Sequence, residues 1–206
     1  MIAIIDYGVG NLYSVSHSLS FLGIENQVTR DRDQVLRADK LILPGVGAFG
    51  DARKKLSEGG MDALVVQKAQ AGTPLLGICL GMQLLFQKSY EYGEHQGLSL
   101  IPGEVCPLQE DISPALKVPH IGWNGLRFLR HCPLTRYIQE GDSVYYVHSF
   151  YAKGAGEAVK AVSEYGVQVP GLVQRGNVFG AQFHPEKSGP VGLKILKAFG
   201  EVEGAC

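Results

Sequence analysis

The chain of 206 residues is 45% hydrophobic and 19% charged, with a formal net charge of −1, a balance that suits a globular protein and leaves nucleic acid or an anionic membrane unsupported as a partner. Its start, Met1-Ile2-Ala3-Ile4-Ile5-Asp6, lacks a basic region and meets an acid after a very short apolar run, which predicts neither a signal peptide nor a membrane span and points to the cytoplasm. The four cysteines, Cys79, Cys106, Cys132 and Cys206, are scattered and form no CxxC pair or Cys/His cluster, so neither a disulfide framework nor a structural metal is expected.

Residues 2–5 are an unbroken apolar run closed by Asp6 and the turn Gly8-Val9-Gly10, the pattern of a short buried strand. A helix is predicted next, with Leu12, Val15, Leu19 and Leu22 at helical spacing, Asn11 as N-cap and Gly23 as stop. Strands are predicted over residues 24–29 and 40–43, the second broken by Pro44-Gly45-Val46-Gly47-Ala48-Phe49-Gly50; a helix over 61–70, closed by Gly72, precedes a strand over 74–78. Such alternation, with strands apolar on both faces, argues for a parallel sheet between helices, with functional loops at the carboxyl ends of the strands. Beyond Phe86 the pattern loosens into short strands near Val105 and over 118–123, 126–129, 144–147, 159–162, 171–174 and 178–183. The last two are read as a hairpin across Arg175-Gly176-Asn177, and a closing amphipathic helix is predicted over 189–199. No linker, low-complexity stretch or charge run divides the chain, so residues 1–206 are read as one α/β domain: an open, largely parallel sheet flanked by helices, with extra antiparallel strands.

The chemistry centres on Gly77-Ile78-Cys79-Leu80-Gly81. This is the glycine-bracketed turn from strand to helix known from the α/β hydrolases, with cysteine where they carry serine: it holds its central residue in strained backbone, and its glycines let strand and helix approach closely. A free cysteine more commonly just packs; the glycine bracket favours a nucleophile, and the start of a helix favours its thiolate. Such a nucleophile needs a base, and the base a partner that fixes its tautomer. His17 falls inside a helix, His95 and His131 in polar loops, and His120 and His148 lack a nearby carboxylate. His184 ends the strand over 178–183 and is followed by Pro185-Glu186, so a rigid proline separates the imidazole from an acid able to orient it. Gly45-Val46-Gly47, at the end of the strand over 40–43, offers backbone N–H groups for an oxyanion on the same sheet edge as Cys79.

Two other classes compete. A dinucleotide-binding protein would use Gly45-x-Gly47-x-x-Gly50, or Gly8-x-Gly10 with Asp31 as ribose acid, but Tyr13 occupies the third glycine position of the second motif and no ribose acid follows the first. A non-catalytic interaction subunit would require the Cys79, His184, Glu186 combination to be incidental.

Taken together, Gly77-Ile78-Cys79-Leu80-Gly81-Met82-Gln83 and His184-Pro185-Glu186 resemble the class I, triad-type glutamine amidotransferases over nearly the whole chain. Pro119-His120-Ile121-Gly122-Trp123-Asn124 and Tyr145-Tyr146-Val147-His148-Ser149-Phe150 are similar to the branch of that family that serves histidine biosynthesis. The resemblance implies that Cys79 attacks the side-chain amide of glutamine, His184 moves the protons and Glu186 orients His184. It also implies oxyanion donors at Gly45, Val46, Gly47 and Leu80, with a backbone switch at the glycines, and a glutamine site at Gln83, Ser149 and Phe150. No cofactor is implied. The ammonia would pass to a separate (β/α)₈-barrel cyclase subunit, met through Asn11, Trp123 and Lys187.

Overall fold

Residues 1–204 are described by the computed structural model, so Cys206 lies outside the described residues. The first half alternates strand and helix: β1 (Ile2–Ile5), α1 (Leu12–Phe21), β2 (Asn26–Thr29), α2 (Arg32–Arg37), β3 (Lys40–Leu43), α3 (Phe49–Ser57), α4 (Met61–Gln70), β4 (Leu75–Ile78) and α5 (Leu80–Leu84). After it come β5 (Lys88–Ser89), β6 (His95–Gln96), β7 (Glu104–Pro107), β8 (His120–Gly125), β9 (Arg127–Phe128), β10 (Ser143–His148), β11 (Phe150–Lys153), β12 (Val159–Glu164), β13 (Gln168–Arg175), β14 (Val178–Ala181) and α6 (Gly189–Gly200).

Among the described residues an eight-stranded sheet runs β2-β1-β3-β4-β14-β13-β12-β9. It is parallel from β2 through β14 and antiparallel beyond. Strands β1, β4 and β14 are buried at every residue, as continuous apolar runs require when helices cover both faces, whereas β2, polar and half exposed, forms an edge. Successive side chains leave a strand on opposite faces. Ala3, Ile5, Leu41 and Leu43 therefore pack with α2, α3, α4 and α5 through Val35, Phe49, Leu64 and Leu80. Ile2, Ile4, Ile42 and Ile78 pack on the other side with Val15 and Leu19 of α1 and Ile195 and Phe199 of α6. Outside the large sheet, β8 and β10 form an antiparallel ribbon, and β11-β7-β5-β6 a small separate sheet.

The mixed, largely parallel architecture is the one the sequence predicts, with local differences. Helices α2 and α3 lie where the sequence predicts no element, α3 starting within the Pro44–Gly50 break. Asp31 caps α2 by accepting from the Asp33 N–H at 2.8 Å, and α3 buries Phe49, Ala52 and Leu56, an i, i+3, i+7 stripe hidden behind the Pro/Gly cluster. Asn11 precedes α1 but makes no capping bond: its ψ of 60° is not extended, and its amide instead donates to Glu186 Oε1 at 3.4 Å. The second strand starts at Asn26 rather than residue 24, because the Ile24 N–H is taken by the Leu19 carbonyl at the end of α1. The strand over 178–183 ends at Ala181, which frees Gln182 and Phe183 to lead toward the site. The hairpin turn is as read, with Gly176 at φ 57° and Arg175 paired with Val178.

Candidate active site

The turn at Cys79 is strained as its spacing predicts: φ is 54° and ψ −113° for a residue with a side chain. Its glycines are demanded by space. A Cβ on Gly77 would meet the backbone of Gly81 and Met82 at 2.6–2.7 Å, and one on Gly81 would run into the Leu43 carbonyl at the end of β3. The Cys79 N–H donates to the Ala181 carbonyl of β14 at 2.7 Å, which ties the nucleophile's backbone to the strand that leads to His184. Helix α5 has only five residues, so the dipole it brings to Cys79 is that of a short helix.

His184 and Glu186 meet at 2.8 Å between Nδ1 and Oε1, with side chains 3% and 1% exposed. Pro185 opens a single 3₁₀ turn that brings the two together. The turn is fastened to β10: the His184 N–H donates to the Tyr145 carbonyl, the Tyr145 N–H donates to Ser188 Oγ, and Ser188 Oγ donates to the His184 carbonyl, at 3.0, 3.0 and 2.7 Å. Burial alone would push the His184 pKa down; the Cys79 sulfur and the Glu186 carboxylate outweigh it and push it up to about 10.

Cys79 and His184 open into a cleft of about 330 Å³ that also exposes Val46, Gly47, Leu80, Gln83, Ser149, Phe150 and Lys187, whereas Gly45, Glu186, Asn11 and Trp123 do not line it. Gln83 Nε2 donates both its hydrogens inward, to the Phe150 carbonyl at 3.0 Å and to Gln182 Oε1 at 3.1 Å, leaving its oxygen as the group it can offer a ligand. Gly45 sits just behind the cleft wall. Its role differs from the expected backbone freedom: a Cβ there would meet the Gly81 nitrogen at 2.6 Å and the Tyr7 hydroxyl at 2.9 Å, while Gly47 does hold a positive φ, 94°, with open space around it. Tyr7, buried, donates to the Pro44 carbonyl at 2.6 Å and so braces the loop next to the cysteine. Asn11 reaches Glu186, and Trp123 stands 56% exposed on β8 with its ring edge-to-face with Tyr145 at 5.8 Å.

Other residues at the site had no local signal. Glu91, from the loop after β5, lines the cleft and accepts from the Phe49 N–H at 2.6 Å, where burial pushes its carboxyl pKa up. His148 lines the cleft too, backed by His120; both lack a carboxylate nearby in sequence, and their proximity arises only from the pairing of β8 with β10. The glycines of the rival dinucleotide motif have other work: Gly50 lies in α3 under the His95 ring, and Asp31 caps α2. Among the described residues no three His, Cys, Asp or Glu side chains converge as metal ligands.

Against known families, the model described as Glutamine amidotransferase class-I matches residues 3–201. The chain belongs to that family. Among curated amidotransferases similar to it, "Imidazole glycerol phosphate synthase subunit HisH" of Listeria monocytogenes is 49% identical over 206 residues, covering all of this chain and 98% of the relative. The protein of the same name from Bacillus cereus is 53% identical over 199 residues, covering 97% and 93%. Solved structures share the amidotransferase fold at lower identity: one described as a glutamine amidotransferase superposes with a TM-score of 0.75 at 21% identity over 97% of this chain and all of the other. A putative GMP synthase component from Thermoplasma acidophilum superposes with a TM-score of 0.70 at 19% identity, over 97% of this chain and 91% of that one. Within such a fold the carboxyl ends of β4 and β14, adjacent and parallel, deliver Cys79 and His184 to one edge, the place where ligand sites form in open α/β sheets.

Proposed function

We propose that this amidotransferase is the glutaminase subunit of an imidazole glycerol phosphate synthase, a single cytoplasmic domain over residues 1–206 that feeds ammonia to a separate (β/α)₈-barrel cyclase subunit in a heterodimer. The observation that carries the reading is that His184, which shares one cleft with Cys79, is paired from behind with Glu186 at 2.8 Å, in a chain about half identical along its length to proteins of that name.

In this reading the Cys79 thiolate attacks the side-chain carbonyl of glutamine. The C–N bond breaks as His184 gives its proton to the departing nitrogen, leaving a glutamyl thioester and NH₃. A water then loses a proton to His184 and attacks the thioester, glutamate departs, and the thiolate–imidazolium pair returns. Glu186 holds His184 through Nδ1, which presents Nε2 to the reacting atoms. N–H groups of the Val46-Gly47 stretch and of Leu80 serve the oxyanion, with Gly45 allowing the loop its close approach, and Gln83, Ser149 and Phe150 hold the substrate. Asn11, Trp123 and Lys187 meet the cyclase.

The test is Cys79→Ala assayed in the complex with a cognate cyclase subunit. Glutamine-dependent turnover is expected to fall by about 10⁴-fold or more, the scale of nucleophile deletion, while synthesis from added ammonium salt persists. Retained glutaminase activity would overturn the catalytic assignment, and glutaminase activity that never yields cyclase product would move the chain to another pathway.

A further inference from the structure

Two buried histidines, His148 lining the cleft and His120 behind it, have no part in the chemistry above. His148 ends β10 and His120 begins β8, directly opposite in the register of the ribbon, and they are 6% and 1% exposed. His120 Nδ1 lies 3.0 Å from His148 Nε2, and His148 Nδ1 lies 2.9 Å from the Phe150 carbonyl oxygen.

Their partners dictate their protons. A carbonyl oxygen only accepts, so His148 Nδ1 carries hydrogen. Protonating Nε2 as well would make a buried imidazolium beside His184, and burial pushes the His148 pKa the other way, down to about 3. His148 Nε2 therefore presents a lone pair, and His120 Nδ1 must donate to it. The other nitrogen of His120 selects the same arrangement. It is buried and makes no hydrogen bond of ordinary geometry among the described residues, only an approach by the Asn124 side chain, and an orphaned N–H is a rarer and costlier thing to bury than an orphaned acceptor. The His120 ring is also held in place, stacked between Tyr146 at 4.8 Å and Tyr165 at 4.0 Å.

This chain of donors ends on a segment that lines the cleft. The Phe150 carbonyl receives His148 Nδ1 and Gln83 Nε2, and the neighbouring Ser149 carbonyl receives the Leu108 N–H at 2.9 Å. A lone histidine at 148 is free to take the Nε2–H tautomer, which would turn a lone pair against the Phe150 oxygen and push the segment away. His120 closes off that option.

Resting on the glutaminase reading, we infer that His120 and His148 are positioning residues for glutamine: a two-histidine chain with one fixed proton direction that clamps the Phe150 carbonyl and keeps the Ser149–Phe150 edge of the cleft shaped for substrate. Neither histidine touches the reacting atoms. The clamp acts on binding, so its signature is in KM.

Two measurements test it. Nitrogen-15 NMR of the histidine side chains in the intact wild-type complex should show both His120 and His148 neutral and protonated at Nδ1, against the Nε2–H form that free neutral histidine prefers. His148→Phe, assayed in the complex with the cyclase subunit, should raise KM for glutamine roughly tenfold, the scale of one lost buried hydrogen bond, with a smaller change in kcat. His120→Phe keeps a flat ring between the two tyrosines and should shift KM in the same direction by less. An Nε2–H signal from His148, an unchanged KM in His148→Phe, or a fall in kcat alone would overturn the inference. Should His148→Phe fail to fold, the wild-type tautomers and His120→Phe still decide. A wild-type complex that hydrolyses no glutamine would overturn the glutaminase reading instead, and would do so independently of the tautomers.

Discussion

His184 is acted on by two neighbours, the Cys79 sulfur and the Glu186 carboxylate, and the direction of its pKa makes their contributions separable. Burial lowers it, while the Cys79 sulfur and the Glu186 carboxylate raise it to about 10. Deleting the sulfur removes the first of the raising causes, so in Cys79→Ala the imidazole should lose its proton at lower pH than in the wild type; an NMR titration of the ring measures it, and a midpoint unmoved or higher would show that Glu186 alone sets the value. The same sign operates during turnover. In the proposed mechanism, acylation of the sulfur would remove that raising cause, so His184 would give up its proton more readily and serve as base for the water step. This part of the site was legible in the sequence because His184 and Glu186 are neighbours and Cys79 carries its glycines beside it. Glu91 and His148 were not legible as site residues: the one reaches the cleft from the loop after β5, the other through the pairing of β8 with β10, and neither contact leaves a local pattern.

At the scale of elements, the glycines around the site divide by cause. Gly81 is glycine for want of room against the Leu43 carbonyl, a backbone atom in the sheet centre that cannot yield. Gly81→Ala should therefore cost about 2–3 kcal/mol in chemical denaturation, the upper range for overpacking. Gly47 is glycine for its φ of 94°, in open space. Gly47→Ala should cost only about 1 kcal/mol in stability yet, by restricting the peptide between Val46 and Gly47, reduce glutaminase turnover in the complex with the cyclase subunit by up to the roughly 10²–10³-fold attached to one oxyanion donor. Equal stability losses in the two variants would contradict this division. Doubly buried strands such as β1, β4 and β14 were plain in the sequence, since each is an unbroken apolar run. Helix α3 was masked by the Pro/Gly cluster ahead of it, and β5 and β6, two residues each, are too short for any period to register.

For the molecule as a whole, the ribbon β8/β10 has two unlike faces. Ile121 and Trp123 stand out at 58% and 56% exposure, while His120 and Tyr146 are buried behind them. Removing Trp123 should leave the fold intact and weaken association with the cyclase subunit by about 2–4 kcal/mol, as for a tryptophan hot spot; calorimetric titration reads the affinity and circular dichroism the fold, and unchanged affinity or a collapsed spectrum would count against it. The large sheet carries a different consequence. Cys79 and His184 leave β4 and β14, adjacent strands about 4.8 Å apart, and a hydrogen bond from the Cys79 N–H to the Ala181 carbonyl ties the two exits together. Twisting or breathing of the sheet therefore carries the Cys79 backbone and the Ala181 end of β14 along as common-mode motion. The Ser149–Phe150 edge lies between the ribbon and the small sheet, outside the large one, so the same fluctuations reach it as differential motion. The substrate side of the cleft can thus shift relative to the nucleophile while the strand that bears Cys79 stays tied to the strand that leads to His184.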